Sequence, residues 1–274
     1  MNVRGITVPD FMYGTAWKES RTQPLVELAL HEGFRAIDTA NQRKHYFEQA
    51  VGDGIRASRI PLAELFIQTK FTHRAGQDHR LPYDAAAPIA EQVAQSFASS
   101  LEHLGVTELD SLVLHGPSLR DRLAAEDRDA WRAIEAIAER GGARLVGISN
   151  VSAAQVRELV GFARVAPAFV QNRCYAERGW DREIRALCAE HGIVYQAFSL
   201  LTANRDVVAG RTVRAIATRH GRTPAQVVFR FARQVGMLPL TGTSSPQHMR
   251  DDLAIGEFAL RDDELAAIDR AGET

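Results

Sequence analysis

The segments FRAIDTA (34–40), ELFIQTKF (64–71) and SLVLHG (111–116) decide the fold that the sequence predicts. Each is a short apolar run with an ionisable side chain near its C-terminal end, in turn Asp38, Lys70 and His115. A parallel strand buried on both faces has no structural need for a charge at its tip, whereas in a closed barrel that end is where functional sites assemble. The pattern therefore predicts an acid, a base and an imidazole at one barrel mouth.

Eight segments of this kind recur along the chain. They lie at 11–16, 34–40, 64–71, 111–116, 145–150, 168–173, 194–199 and 237–242. Their apolar residues are mostly continuous, which is typical of strands buried on both faces of a parallel sheet. Helical patterns separate them, including apolar stripes in 84–104 and 181–191. Ser152 with Gln155 forms a predicted capping box, and Pro224 suits the first position of a helix.

The regular alternation of strands and helices predicts an α/β fold, a single (β/α)8 TIM barrel. We expect one domain over residues 1–274, with a short N-terminal extension and two extra C-terminal helices at 246–254 and 262–271. No Gly/Ser/Pro linker divides the chain. The competing architecture is an open doubly wound sheet. If that sheet bound a dinucleotide, a G-x-G-x-x-G turn would follow its first strand, and the sequence has none there.

Composition and charge exclude several classes of protein. The formal net charge of −1 and the scattered arginines argue against a nucleic-acid partner, which normally meets a concentrated basic surface. Cys174 and Cys188 give neither a disulfide framework nor metal-type spacing. The N-terminus lacks the apolar core of a signal peptide, and no apolar run approaches the roughly 20 residues that span a bilayer. We therefore expect a cytoplasmic protein with no membrane partner.

The ionisable residues at the strand ends favour a catalytic site. Lys70 alone would be typical of a surface lysine, but Asp38 ends the neighbouring predicted strand, within reach of a charge pair. A lysine held by one carboxylate is expected to lower the pKa of a nearby phenol, and Tyr46 follows in the next loop. His115 then joins the pair from the adjacent strand. A metal hydrolase would need more His and Asp ligands, so we predict no metal site.

Ordered motifs along nearly the whole chain resemble those of the aldo-keto reductase superfamily. They are GTAWK (14–18), FRAIDTA (34–40), YFEQAVG (46–52), LFIQTKF (65–71), LDSLVLHGP (109–117), LVGISN (145–150), PAFVQN (167–172), VYQAFSLL (194–201), TPAQVVFRFARQ (223–234) and LPLTGTSSPQH (238–248). Each motif is weak alone, but their order and spacing together are specific. The resemblance implies a catalytic tetrad of Asp, Tyr, Lys and His, in which Asp38, Lys70 and His115 match directly.

The tyrosine of the implied tetrad does not match by simple counting. The family usually places it five residues after the aspartate, where this chain has Arg43. An insertion in NQRKHY (41–46) absorbs most of the offset, yet counting back from Val51 leads to His45 rather than Tyr46. We predict Tyr46 as the proton donor because a phenol beside a Lys–Asp pair makes a good general acid. His45 is the alternative.

The resemblance also implies a nicotinamide cofactor, NADPH with NADH as the other candidate. In the implied site, Phe198 would stack on the nicotinamide ring, while Ser149, Asn150 and Gln171 would bond its carboxamide. The residues expected at the cofactor are Gly14, Thr15, Asp38, Ser149, Asn150, Gln171, Phe198, Ser199, Leu201, Gly242, Thr243, Ser244, His248 and Arg250.

The end of the chain bears on the choice between the two cofactors. NADP-preferring relatives commonly carry a lysine and an arginine at the positions that Gly242 and His248 take here. Thr243 and Ser244 can still donate hydrogen bonds to a phosphate near the start of a helix, and Arg250 can supply a charge. These features predict a modest preference for NADPH.

The predicted function is the NADPH-dependent reduction of an aldehyde or ketone, a small-molecule carbonyl substrate. The reverse oxidation of a sugar or alcohol uses the same residues. The alternative is a nicotinamide-binding regulatory or partner-binding barrel with weak or no catalysis, and the sequence carries no signal for the oligomeric state. Many relatives continue beyond the position of Thr274 with a loop over the barrel mouth. We therefore expect an open pocket here, lined by Trp17, Phe71 and His73.

Overall fold

The structure is a computed structural model that describes residues 1–272; Glu273 and Thr274, the last residues of the expected domain, lie outside the described part. The chain begins with a hairpin of two antiparallel strands, β1 (Asn2–Val3) and β2 (Ile6–Thr7). Eight parallel strands follow and close into a barrel in the order β10-β3-β4-β5-β6-β7-β8-β9. They are β3 (Met12–Gly14), β4 (Ala36–Asp38), β5 (Phe66–Phe71), β6 (Leu109–Leu114), β7 (Ala143–Ser149), β8 (Phe169–Arg173), β9 (Val194–Phe198) and β10 (Met237–Thr241).

Helices cover the outside of the barrel. They are α1 (Thr22–His31), α2 (Glu48–Ser58), α3 (Ile89–Leu104), α4 (Ala125–Glu139), α5 (Ala153–Phe162), α6 (Arg182–Glu190), α7 (Arg205–Ala209), α8 (Arg211–His220), α9 (Pro224–Gln234), α10 (Pro246–Leu253) and α11 (Asp262–Arg270). The predicted (β/α)8 barrel is confirmed, and the short N-terminal extension is the hairpin β1–β2. The two helices predicted after the last strand are α10 and α11.

Several elements differ from the sequence pattern. Strands β6 and β7 each begin two residues earlier than predicted, and the helices differ in two places for local physical reasons. The helix predicted over 84–104 begins only at Ile89, because Pro88 precedes it in an extended conformation (φ −55°, ψ 150°). The pattern also gave no separate helices between β9 and α9, where α7 and α8 lie. α7 has no buried residue and α8 has three, so neither carries the broad apolar stripe on which the prediction depended.

The barrel interior is layered along its axis. At the strand starts, Met12, Ala36 and Phe66 form one buried apolar cluster with Val3 and Val8, so the N-terminal hairpin lies against that end of the barrel. A second and larger apolar cluster lies between the strands and the surrounding helices. Polar side chains replace the apolar ones toward the strand ends, and these side chains build the candidate site.

Candidate active site

Asp38 and Lys70 form a buried ion pair at the ends of neighbouring strands. Asp38 is the last residue of β4, and Lys70 lies near the end of β5. Lys70 Nζ donates to both Asp38 carboxylate oxygens at 2.7 Å and to the Thr39 carbonyl oxygen at 2.8 Å. An ammonium group has three hydrogens, so these three acceptors use all of them. Burial lowers the pKa of Lys70, and the adjacent Asp38 opposes that shift.

Two glutamines contact the carboxylate of Asp38 inside the barrel, and a third glutamine links those two. Gln68 and Gln171 each donate from Nε2 to Asp38 Oδ1, at 2.7 and 3.0 Å, and to Gln196 Oε1, at 2.8 and 2.9 Å. Gln196 in turn donates to Gln68 Oε1 at 3.0 Å. All three side chains are buried. The Lys70 ammonium and the two amide donors therefore hold the carboxylate of Asp38 in place. Sequence reasoning missed Gln68 and Gln196, although each interrupts an apolar strand.

Tyr46 lies in the loop between β4 and α2, and its ring faces the ion pair. Lys70 Nζ is 5.3 Å from the ring centroid, and the ring packs edge-on against His115 at 5.7 Å. Within residues 1–272 the Tyr46 hydroxyl has no hydrogen-bond partner. Burial, and secondarily the charge of Asp38, raises the pKa of Tyr46 above its usual value.

The expectation that Lys70 lowers the pKa of Tyr46 is wrong for this arrangement of charges. Asp38 neutralises the lysine and takes two of its ammonium hydrogens, and the Thr39 carbonyl takes the third. No N–H of Lys70 remains for the phenol, so burial dominates the pKa of Tyr46. The consequence is a phenol that stays protonated at neutral pH.

His115 directly follows β6 and shares the cavity with Tyr46. Its ring nitrogen Nδ1 is 2.7 Å from the hydroxyl of Thr72, and its carbonyl oxygen accepts from Asn150 Nδ2 at 2.8 Å. Burial, and then the positive charge of Lys70, lowers the pKa of His115 well below its usual value. The imidazole is therefore neutral at physiological pH.

His45 and Tyr46 are neighbours in sequence but face different surroundings. The His45 ring stacks on the indole of Trp17, with the ring centroids 4.0 Å apart. The backbone carbonyl oxygen of His45 accepts from the backbone N–H of Trp17 at 2.7 Å. Trp17 is 67 % exposed. Tyr46 lines the cavity together with Asp38 and His115, whereas His45 does not. The geometry thus brings Tyr46 to the predicted tetrad and leaves His45 at the rim.

The tetrad opens into a cavity of about 740 Å³ at the carboxyl ends of the strands. This volume lies within the range of small-molecule and cofactor pockets. Most residues predicted at the cofactor line it, namely Gly14, Asp38, Ser149, Asn150, Gln171, Phe198, Ser199, Leu201, Gly242, Thr243 and His248.

Three residues predicted at the cofactor do not line the cavity. Thr15 is fully buried, and its hydroxyl donates to the Asp38 carbonyl oxygen at 3.0 Å. Ser244 is exposed at the turn before α10. Arg250 points away from the cavity because both oxygens of Glu32, directly after α1, accept from its Nη1 at 2.9 Å. The expectation that Arg250 faces the cofactor therefore conflicts with the ion pair it forms.

Lys18 is a cation of the cavity that sequence reasoning missed. Its Nζ donates to the carbonyl oxygen of Gly242, beside Thr243 and His248 on the cavity wall. Burial lowers the pKa of Lys18. Lys18 lies in the GTAWK segment (14–18), so its position in that motif was the available signal.

The expected pocket wall is correct in only one of its three residues. Trp17 lines the cavity, but Phe71 and His73 are buried beside it, with 1 % and 8 % of their surfaces exposed. Phe71 packs against the rings of His73 and Tyr83, and His73 Nε2 lies 3.0 Å from Asp127 Oδ1. These partners draw both side chains toward α4 and away from the barrel mouth.

The amide groups at the tetrad fit the carboxamide of a nicotinamide ring. The amide nitrogens of both residues already donate hydrogen bonds within the protein. Asn150 Nδ2 donates to the His115 carbonyl oxygen and to Ser149 Oγ, and Gln171 Nε2 donates to Asp38 Oδ1 and Gln196 Oε1. The two amide oxygens, Asn150 Oδ1 and Gln171 Oε1, accept no hydrogen bond within residues 1–272. They are therefore free to accept from a carboxamide NH2 group.

Three cavity residues hold strained backbone conformations. Trp17 has φ 61°, Asn150, directly after β7, has φ 56°, and Ser199, directly after β9, has φ 58°. Left-handed conformations are uncommon outside glycine and cluster at functional sites. Within residues 1–272, the site included, no group of three or more His, Cys, Asp or Glu side chains could hold a metal ion. No helix in the same range has the length and hydrophobicity needed to cross a membrane.

A closed barrel with an ion pair, a phenol and an imidazole at its carboxyl mouth defines the class of (β/α)8-barrel enzymes. The sequence model of the aldo/keto reductase family matches residues 11–273. An aldo-keto reductase of Mycolicibacterium vanbaalenii is 32% identical over 256 residues, which cover 93% of this chain and 85% of that protein.

Solved structures agree with the match to the family model. An aldo/keto reductase from Brucella melitensis superposes with a TM-score of 0.84 at 25% identity, covering 99% of this chain and 98% of that chain. The Bombyx mori aldo-keto reductase, solved in complex with NADP, shares the fold with a TM-score of 0.83 at 22% identity, covering 100% and 92%. The chain belongs to the aldo/keto reductase family. It is an NAD(P)-dependent oxidoreductase that reduces aldehydes or ketones.

Proposed function

We propose that this oxidoreductase uses NADPH to reduce small aldehydes and ketones, with Tyr46 as the proton donor. The observation that carries the proposal is the convergence of Tyr46, His115 and the Asp38–Lys70 pair at one end of a single cavity. Substrate would bind at that end, close to the phenol. Nothing in residues 1–272 favours a regulatory barrel without catalysis.

Residues along the rest of the cavity would hold the cofactor. The free oxygens of Asn150 and Gln171 would accept from the carboxamide, and Phe198 would present an aromatic face to the ring. Lys18 and the Thr243 hydroxyl would meet the phosphate-bearing part. When bound, the reduced nicotinamide supplies the hydride that the carbonyl carbon accepts.

Each residue of the tetrad has a distinct proposed role. Tyr46 donates its phenolic proton to the carbonyl oxygen, and its raised pKa keeps that proton in place until substrate arrives. Lys70 helps to fix the position of the phenol, since its ammonium packs 5.3 Å from the ring centroid. Asp38 holds Lys70 in position. His115 is neutral and orients the carbonyl oxygen through a hydrogen bond.

The proposed preference for NADPH rests on residues other than Arg250. Lys18 and His248 line the cavity beside Thr243, so both are placed to meet a phosphate. Asp251 and Asp252 line the same end and oppose an additional negative charge. These opposing charges support only a modest preference, with NADH as a second cofactor.

The remaining proposals concern the molecule as a whole. We propose that residues 1–274 form one domain, which is supported by one closed barrel with helices continuous around it. A cytoplasmic location fits the two free, buried cysteines, Cys174 and Cys188.

The direct test follows the decay of nicotinamide absorbance with a reactive aldehyde such as a nitrobenzaldehyde. We expect turnover with NADPH and slower turnover with NADH. A panel of aldehydes, ketones and sugars then defines the substrate class, and the reverse reaction is assayed with the corresponding alcohols. Absence of turnover above the blank with every member of the panel would refute the proposed function.

A further inference from the structure

Thr72 contacts the imidazole of His115 and does not itself line the cavity. The residue directly follows β5 and is 5 % exposed, and its hydroxyl oxygen is 2.7 Å from His115 Nδ1. Its carbonyl oxygen accepts from the Tyr83 hydroxyl at 2.8 Å and from Gln77 Nε2 at 3.5 Å. Thr72 is therefore held on its backbone side while its hydroxyl faces the ring.

The direction of this hydrogen bond follows from counting donors and acceptors. Within residues 1–272, His115 Nδ1 is the one acceptor within reach of the Thr72 hydroxyl hydrogen. If Nδ1 carried the proton and donated to Thr72, that hydroxyl hydrogen would be buried without a partner, which is unfavourable. If the hydroxyl donates to Nδ1, both groups are satisfied. The second arrangement is favoured.

A neutral imidazole carries one hydrogen, on one of its two nitrogens. Burial and the nearby Lys70 charge keep the His115 pKa low, so the ring is neutral and one nitrogen must act as an acceptor. With Nδ1 accepting from Thr72, the hydrogen resides on Nε2. Nε2 is then the ring nitrogen left to donate toward a ligand in the cavity.

We propose that Thr72 is a positioning residue that holds His115 in the Nε2–H tautomer, so that the imidazole presents a hydrogen-bond donor to the substrate carbonyl oxygen. The part of this inference that concerns the carbonyl rests on the proposed function; the tautomer itself does not. Thr72 follows β5, the strand that carries Lys70, and it orients His115, which follows the neighbouring strand β6.

The tautomer can be measured directly on the protein without cofactor or substrate. Two-bond 1H–15N correlation spectra of the histidine rings distinguish the two tautomers, and His115→Asn identifies the signals of His115. We expect the Nε2–H pattern in the wild type and in Thr72→Ser, and the Nδ1–H pattern or a mixture in Thr72→Val.

Thr69→Val is the matched control for this experiment. Thr69 lies in the same strand and is buried, but its hydroxyl donates to Glu48 rather than to His115. We expect the His115 signals of this variant to keep the wild-type pattern. An Nδ1–H pattern in the wild type, or an unchanged Nε2–H pattern in Thr72→Val, would overturn the proposal.

Kinetics provide the second measurement. Thr72→Val should lower kcat/KM for the carbonyl substrate by about 3- to 10-fold, the effect of one hydrogen bond, while the Kd of the cofactor changes little. Thr72→Ser should restore most of the loss. Equal losses in the Ser and Val variants would contradict the proposal. If no substrate is turned over, the proposed function fails, but the NMR comparison still decides the role of Thr72.

Discussion

His45 and Tyr46 show how strongly the environment of one residue differs from that of its neighbour. His45 stacks on an exposed indole at the rim, while the Tyr46 hydroxyl shares a cavity with His115 and the Asp38–Lys70 pair. Only a group in the second environment can deliver a proton to an oxygen beside His115. The choice between the two candidates is therefore open to a direct comparison of variants.

We predict that Tyr46→Phe lowers kcat by at least about 100-fold, the contribution expected of a lost general acid. The ring remains, so the Kd of the cofactor should change little. Steady-state kinetics with one aldehyde, together with cofactor titration, provide the measurement. His45→Ala is the control and should retain most of the wild-type rate. A nearly normal Tyr46→Phe enzyme paired with an inactive His45→Ala enzyme would transfer the role to His45.

Arg250 and His248 lie on the same helix, α10, but differ in their access to the cavity. Arg250 is held by Glu32, and His248 lines the cavity. We predict that Arg250→Ala leaves the ratio of kcat/KM for NADPH over NADH within about 2-fold of wild type. His248→Ala should lower that ratio by about 3- to 10-fold, as expected for one lost phosphate contact.

Both variants are compared with wild type under the same buffer and salt conditions, because contacts between charges are screened by salt. A large fall of the ratio in Arg250→Ala would mean that the arginine leaves Glu32 when cofactor binds. In that case the interpretation drawn from the ion pair would have to be abandoned.

At the level of elements, two glycines allow α2 to pack closely against its neighbours α1 and α3. A Cβ at Gly52 would lie 1.9 Å from the His103 carbonyl oxygen of α3, and one at Gly54 would lie 2.7 Å from the Gln23 carbonyl oxygen of α1. Both contacts are with backbone atoms, which cannot rotate away. The close approach matters for the site because α2 directly follows the loop that carries Tyr46.

We predict that Gly52→Ala lowers the free energy of unfolding by about 1–3 kcal/mol or more, because the helices must separate. Displacement of α2 should also lower kcat. Gly161→Ala is the matched control: it also lies within a helix, α5, and a Cβ there meets nothing within 4 Å. That variant should be neutral or slightly more stable. Urea unfolding of the three proteins measures the difference, and equal midpoints for Gly52→Ala and wild type would contradict the packing argument.

The elements were predictable where burial on both faces or one apolar stripe dominates the sequence. All eight barrel strands overlap their predicted segments because β4 and its neighbours are almost continuously apolar, although β6 and β7 each begin two residues earlier than predicted. α7 and α8 were missed because few of their side chains are buried. The sequence could not show which side chain of the insertion at 41–46 faces the cavity, because the packing of His45 on Trp17 decides the path of that loop.

The site was predictable to the same extent. Asp38, Lys70 and His115 stand at strand ends, where the alternation of elements fixes their location, so the sequence pattern sufficed. The interior donors Gln68 and Gln196 gave no signal beyond interrupting apolar runs. The ion pair of Arg250 was not predictable because nothing local to its helix reveals that Glu32, far away in the sequence, pairs with it.

At the scale of the whole molecule, one buried acid makes its own contribution to the pH dependence of stability. Asp252 is 3 % exposed at the cavity wall, and burial raises its pKa from 3.8 to about 7. Because the folded state binds this proton more tightly than the unfolded state, ionisation of Asp252 destabilises the fold. Its contribution worsens as the pH rises from about 4 to about 7 and is constant above that.

We predict that Asp252→Asn removes this dependence. The unfolding free energy of the variant, relative to wild type, should be about 2 kcal/mol larger at about pH 8 than at about pH 5. The reason is that a pKa difference of one corresponds to about 1.4 kcal/mol, and the Asp252 carboxyl loses its proton across this interval. Urea denaturation curves of both proteins across this interval provide the measurement. Parallel stability curves for variant and wild type would show that the carboxylate is solvated when charged.

The exposure of Trp17 has an optical consequence. Trp131 and Trp180 are fully buried, so Trp17 is the indole among the three whose emission wavelength depends on solvent. Because Trp17 lines the cavity, a bound dinucleotide would displace water from that indole, and a reduced nicotinamide absorbs light where indole emits. Fluorescence of the unlabelled chain should therefore follow occupancy of the barrel mouth in real time, and the shift in emission wavelength should disappear in Trp17→Phe.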